Sequence, residues 1–373
     1  ARAMFLNDSK VWKRPPTAVY PIRLAVGGDN LFTQSQREWS MLQPSLAPDF
    51  RKRALEERVG VAVSLVETEE VASLPYDTDV DLERSMGRIA LMFASSVLFG
   101  RHLDRARADE LLSSQRPVID WLAERMRSGG SAVPVAVGRA ARTMQSHRAR
   151  VFAFLKETID ERRAGAPQGD VLDALLAARP HGRPLPDDEL TVHMFGLFAA
   201  GNETTATALS WALVHGASNR AAWAALRSDA SSVPHFVTET LRLSPPAWGI
   251  SRSPAGVRSA PLAADGMTVQ VRPHQMVMVN VYGMGRDQAV WPDGTTFDPD
   301  RHRRPTKAQE RSLIPFGLGL HGCIGQQMAM AELQAVLPML ARHGNVEVDG
   351  SPTGQPTFTL KVRGGLRGKF AKA

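Results

Sequence analysis

A mainly α-helical fold with small β-sheets, in one continuous domain over residues 1–373, is predicted by three features of the sequence. Residues 49 to about 226 are rich in Ala, Leu, Arg and Glu, with apolar positions at helical spacing. Residues 188–216 and 326–337 form long proline-free runs. Strand-like segments come late, at residues 269–281 and after Gly344.

Taken in order, Leu82, Met86, Ile89, Ala90, Phe93 and Val97 recur with helical period. Breaks fall at Gly100, at Gly129, Gly130 and Pro134, between Gly165 and Gly169, and between Pro180 and Pro186. A helix near residues 234–243 is stopped by Pro245 and Pro246, because the residue before a proline avoids the helical region. Residues 269–281 then alternate around Pro273 and His274, and short apolar segments after Gly344, separated by Gly and Pro, predict terminal hairpins.

Composition excludes several classes. With 43% hydrophobic residues the chain can bury a large core, and its single cysteine rules out an intramolecular disulfide or a Cys-clustered zinc site. The excess of 45 Lys+Arg over 38 Asp+Glu is scattered, without zinc-finger spacing, basic-zipper heptads or an aromatic RNA-binding signature. No nucleic-acid partner is expected; the charge suits a solvated surface or an acidic protein partner. The most apolar stretch, residues 89–100, includes Ser95 and Ser96 and falls short of the roughly 20 residues a membrane span needs. Residues 1–13 lack the apolar stretch of a signal peptide, so the expectation is a cytoplasmic, monomeric protein without a membrane association.

The strongest local signal surrounds the cysteine. Phe316-Gly317-Leu318-Gly319-Leu320-His321-Gly322-Cys323-Ile324-Gly325 places four glycines in ten residues directly before a proline-free helix. Glycines reach positive φ, so backbone amides can turn inward toward the sulfur. The helix N-terminus favours negative charge there. A thiolate so placed is a nucleophile or an iron ligand.

This run resembles the haem-binding signature of the cytochrome P450 family, Phe-Gly-x-Gly-x-His/Arg-x-Cys-x-Gly, at every specified position. The resemblance implies haem b held by the Cys323 thiolate as the metal ligand, with Phe316, Gly317, His321 and Gly325 around the cofactor and dioxygen as co-substrate. Glu239-Thr240-Leu241-Arg242 matches the family's Glu-x-x-Arg element, and i, i+3 spacing puts both charges on one helix face. Phe297-Asp298-Pro299-Asp300-Arg301-His302 resembles its Pro-Glu-Arg-Phe region, with Asp300 and His302 replacing Glu and Phe. The implied triad is Glu239, Arg242 and Arg301, with a structural role.

Ala200-Gly201-Asn202-Glu203-Thr204-Thr205 interrupts an apolar helix with polar residues and with a glycine, which costs about 1 kcal/mol there. It resembles the family's oxygen-activation element. Ala200 and Gly201 then lie beside the cofactor in a locally opened helix, Glu203 delivers protons and Thr204 supports the iron-bound oxygen species. For the haem propionates the resemblance implies His321 and Arg252. On the early helix ending near Pro44, Ser35 and Trp39 occupy the positions where the family carries its His or Trp and its Arg; Arg37 is the expected substitute.

The resemblance implies a monooxygenase acting on a small, moderately hydrophobic substrate, with a ferredoxin or flavodoxin and its NAD(P)H reductase as redox partners. Desaturation, oxidative coupling and non-catalytic haem sensing stay open on sequence alone. Before Thr204 the chain is shorter than soluble bacterial members, by the first helix and much of the first sheet.

Overall fold

The computed structural model describes residues 11–127, 138–256, 258–264, 266–273 and 275–372. The expected break at Gly129, Gly130 and Pro134 and the turn residue His274 lie outside them. Thirteen α-helices and ten strands are found among the described residues: β1 (Trp12–Lys13), α1 (Pro16–Val26), α2 (Gln36–Leu46), α3 (Lys52–Glu69), β2 (Val80–Asp81), α4 (Leu82–Phe99), α5 (Arg105–Arg127), α6 (Arg139–Ala164), α7 (Val171–Ala177), α8 (Asp187–Ser218), α9 (Arg220–Ser228), α10 (Ser232–Leu243), β3 (Gly249–Pro254), β4 (Ala260–Ala264), β5 (Met267–Val271), β6 (Val277–Asn280), α11 (Val281–Met284), α12 (Lys307–Ser312), α13 (Gln326–His343), β7 (Asn345–Val348), β8 (Gly354–Pro356), β9 (Leu360–Val362) and β10 (Arg367–Ala371). The mainly α class with small sheets is thus observed.

α8 and α4 pack together at the centre. Almost every side chain of α4 is buried, including Met86, Ile89, Phe93 and Val97, so this helix is apolar all round as a central helix must be. Its one buried cation, Arg88, is held by Glu70 at 2.6 Å and Asp109 at 2.9 Å, which is how a charge survives burial. Gly100 stops α4 in the left-handed conformation at φ 59°. Phe198 of α8 meets Phe99 and Phe154 with ring centroids 6.1 and 6.0 Å apart. Pro186 and the acidic Asp187, Asp188 and Glu189 open α8, where the helix dipole favours negative charge.

The sheets are antiparallel, in the orders β1-β3-β6, β2-β10-β7, β4-β5 and β8-β9. Strands occur within residues 269–281 as expected, but β5 pairs with β4 and β6 with β3, so the turn near Pro273 joins two sheets. Of the terminal segments, β8 and β9 form a hairpin as expected, whereas β7 pairs with the non-consecutive β10. α13 runs six residues past the expected end at Leu337, straight through Pro338. The buried Leu337, Met339, Leu340 and Ala341 outweigh the backbone bond that proline removes.

Candidate active site

Backbone geometry closes the cysteine loop. The Cys323 amide donates to Phe316 O at 2.9 Å and the Gly317 amide to Ile314 O at 3.0 Å. Gly317 and Gly319 adopt left-handed φ of 69° and 73°. Gly322 at −57° and Gly325 at −84° do not, so positive φ is needed at only two of the four glycines. Gly325 caps α13, and its amide donates to the Cys323 sulfur.

Cys323 is open to solvent-sized molecules, yet burial pushes its thiol up, with the Gly325 amide partly offsetting this. The thiolate expected from the helix dipole is therefore outweighed by desolvation until a metal takes the proton's place.

His321 stands two residues before the cysteine with its Nδ1 buried and without a hydrogen-bond partner. Burial, together with the positive fields of Arg14 and Arg252, lowers it to about 4. Trp39 of α2 meets the imidazole edge-on at 4.9 Å. Arg252 is buried on β3, where a guanidinium NH donates to Ser251 O at 2.9 Å. Ile250, two residues before it, would lie 3.8 Å from a Cβ on Gly317, which ties β3 to the cysteine loop. Arg37 stands exposed on the first turn of α2, and its guanidinium makes no hydrogen bond or ion pair among the described residues.

These groups fit haem. A reachable sulfur on a helix N-terminus can ligate iron, and an unpartnered imidazole between two cationic fields suits the cofactor's two carboxylates.

α8 brings the polar Ala200–Thr205 segment to the same region, since it packs on α13. A Cβ on Gly201 would lie 3.5 Å from Ala94, 3.7 Å from Met328 of α13 and 3.9 Å from Leu98. These are ordinary contacts, so close approach does not require the glycine. The helix also stays closed through Ala200–Thr205 instead of opening. Thr204 donates to Ala200 O at 2.7 Å within this unbroken turn. Its oxygen lone pairs are left to accept.

Glu203, one residue earlier, is rotated about 100° around the helix from Thr204. Its carboxylate accepts from Thr359 at 3.1 Å and pairs with Lys361 of β9 at 3.0 Å. Lys361 also lies 3.7 Å from Glu83; burial lowers its ammonium, but the two carboxylates win and raise it overall. A cleft of about 110 Å³ adjoins this group, lined by Asp81, Glu83, Gln115, Asn202, Glu203 and Lys361 among others. Lys361 carries no signal in the sequence, because it reaches Glu203 from the far end of the chain.

The triad is assembled as expected and enlarged. Arg242 donates to both Glu239 oxygens at 2.7 Å, and Arg301 donates to one of them at 3.0 Å. His302, in the place of the family's Phe, bonds Glu239 at 2.7 Å, and the Asp298 amide adds a donor at 2.8 Å. Burial alone would raise Glu239, but Arg242 and then His302 hold it down at about 2. The ring of Trp291 lies 5.1 Å beneath the Arg242 guanidinium.

The family model for cytochrome P450 matches residues 1–235 and 231–363. Cyclooctat-9-en-7-ol 5-monooxygenase of Streptomyces melanosporofaciens is 28% identical over 289 residues, 70% of this chain and 61% of that protein. Cyclooctatin synthase of the same organism is 33% identical over 222 residues, 52% of this chain and 46% of that protein. Cytochrome P450 4ae1 of Drosophila melanogaster is 26% identical over 376 residues, 90% of this chain and 74% of that protein. The chain thus spans between about half and two thirds of the two Streptomyces relatives. No helix among the described residues is long and apolar enough to cross a membrane. A family match over almost the whole chain, agreeing with the cysteine loop, the buried triad and the polar element of the central helix, makes this chain a member of the cytochrome P450 family.

Proposed function

We propose that the chain is a haem-thiolate monooxygenase that inserts one atom of dioxygen into a small, moderately hydrophobic organic substrate. The observation that carries this reading is the reachable Cys323 sulfur in the glycine-rich loop just ahead of α13, the helix on which α8 packs near Thr204. Bound there through Cys323, haem would supply dioxygen binding and two-electron oxidation.

The protein's own part is to hold the cofactor and manage protons. Cys323 ligates, while His321 and Arg252 hold the carboxylates. The Thr204 hydroxyl, already donating to Ala200 O, accepts a hydrogen bond on the distal side. Glu203 faces the polar cleft, where it takes protons from solvent once its bond to Lys361 loosens. One relative, the 5-monooxygenase of cyclooctat-9-en-7-ol, supports the substrate class.

Electrons come from a ferredoxin or flavodoxin with its NAD(P)H reductase. Arg304, Lys307 and Arg311, ahead of the cysteine loop, are exposed and suit an acidic partner, whereas Arg303 is paired with Asp300 at 2.6 Å. The test is turnover under isotopically labelled dioxygen with a surrogate reductase and ferredoxin, using substrates chosen by their shift of the haem spectrum. One labelled oxygen atom in the product is expected. A product without label would instead mean desaturation or coupling, and haem-loaded protein that consumes no NAD(P)H would overturn the enzymatic reading.

A further inference from the structure

We infer that the buried amide pair Gln115–Asn202 anchors water in the cleft beside Glu203, which makes Gln115 of α5 a positioning residue for proton supply. The inference rests on the reading of Glu203 as the proton carrier.

Helix geometry places the pair. Asn202, Glu203 and Thr204 are consecutive on α8, so each step turns about 100° around the helix axis. Asn202 lies on the cleft side, Thr204 about 160° around the helix from it, and Glu203 stands between them. Asn202, Ala206 and Ser210 recur about one turn apart, and all three line the cleft. A proton that enters on the Asn202 side therefore reaches Glu203 before it reaches Thr204.

The amide pair is incomplete by itself. Gln115 and Asn202 are each 2% exposed, and Asn202 Nδ2 donates to Gln115 Oε1 at 2.7 Å. Asn202 Oδ1 and Gln115 Nε2 have no partner among the described residues. Turning both amides over changes nothing, because two primary amides that share one bond leave one oxygen and one NH2 free. As a clip between α5 and α8 alone the pair is destabilising, since one hydrogen bond contributes less than two stranded buried groups cost. Water resolves this, because it donates to the free oxygen and accepts from the free NH2.

The space for water is in the same place. The cleft of about 110 Å³ is lined by both amides and by Glu203, and a water occupies about 30 Å³ in the liquid. Lys361 holds the Glu203 carboxylate at the edge of this cleft, 3.0 Å away. Each water in a chain accepts one proton on a lone pair and gives another from an O–H bond. One proton thus leaves solvent for each one bonded to Glu203, which returns to a carboxylate when it passes that proton on.

The test uses the haem-loaded protein. Its crystal structure should show water within hydrogen-bond reach of Asn202 Oδ1 and Gln115 Nε2, and a site without water there overturns the inference. Gln115→Met keeps the volume and removes the anchor. With a surrogate reductase and ferredoxin it should turn over about tenfold more slowly, part of the roughly 10²–10⁴ that proton transfer supplies. Its rate ratio between H2O and D2O should rise at least about twofold, as expected when proton supply limits the rate. Haem uptake and the substrate-induced spectral shift should not change. In a Glu203→Gln background the same substitution should slow turnover no further. A slower rate without a larger isotope ratio, or the same tenfold loss in the Glu203→Gln background, overturns the inference, because the pair would then only pack or would act apart from Glu203. If Gln115→Met does not accumulate, Asn202→Ala is read in the same way. Glu203→Gln turning over as fast as the unmodified chain overturns the reading of Glu203 itself, whereas failure confined to the amide pair overturns only this inference.

Discussion

Two polar clusters lie inside this molecule, and they are finished to different degrees. Around Glu239, every charge is answered by protein: Arg242, Arg301, His302 and the Asp298 amide converge on one carboxylate. Around Cys323, protein leaves work undone. The thiol is raised by burial, and the His321 Nδ1 is buried without a partner under two positive fields. The first cluster completes the fold, and the second is completed by something the fold does not supply. Such a contrast separates structural from functional polarity.

Breaking the finished cluster should have the largest effect. Arg242→Ala leaves Glu239 as a buried, partly answered anion and should cost about 3–5 kcal/mol, read as a lowered urea midpoint or a failure to accumulate folded protein. The corresponding change at the open cluster, Cys323→Ala, should leave the urea midpoint of the haem-free chain nearly unchanged.

Acid should separate them next. Burial lowers His193 to about 4 and His215 to about 3, and His321 is also near 4. Each binds a proton more readily when unfolded, so stability is lost as pH falls from about 6.5 toward those values. Glu239, held near 2, contributes stability that disappears only as pH falls from about 4.5 through about 2. Urea midpoints should thus drop between pH 7 and 5 with the triad intact. A flat profile over that range would remove the histidines from the account.

Thr204→Ala should leave folding and haem uptake as they are, while diverting NAD(P)H electrons to peroxide instead of product. Unchanged coupling would remove Thr204 from the chemistry. Smallest of all, Gly201→Ala should fold normally and gain up to about 1 kcal/mol in helix propensity, because its Cβ meets only ordinary contacts. A loss of haem binding in that variant would show that the cofactor needs the space.

The legible parts of the sequence were those whose partners are close in sequence. The cysteine loop is one ten-residue run, and Glu239 and Arg242 share a helical turn. What stayed hidden depends on pairing across the chain. Lys361 reaches Glu203 only because β9 folds back on α8. His302 reads as a departure from the Phe pattern, and only its 2.7 Å bond to Glu239 shows that an aromatic packing position has become part of the ion cluster. The expected opening of α8 failed for a related reason: the Thr204 hydroxyl bonds back to Ala200 O without breaking the helix, which residue types alone do not reveal.

Carbon monoxide binding to the reduced, haem-loaded protein tests the central claim most directly. The unmodified chain should give the long-wavelength Soret band of a thiolate-ligated ferrous complex, and Cys323→Ala should lose that band while the chain still folds. A band that survives the substitution, or a short-wavelength band in the unmodified chain, would contradict ligation by Cys323.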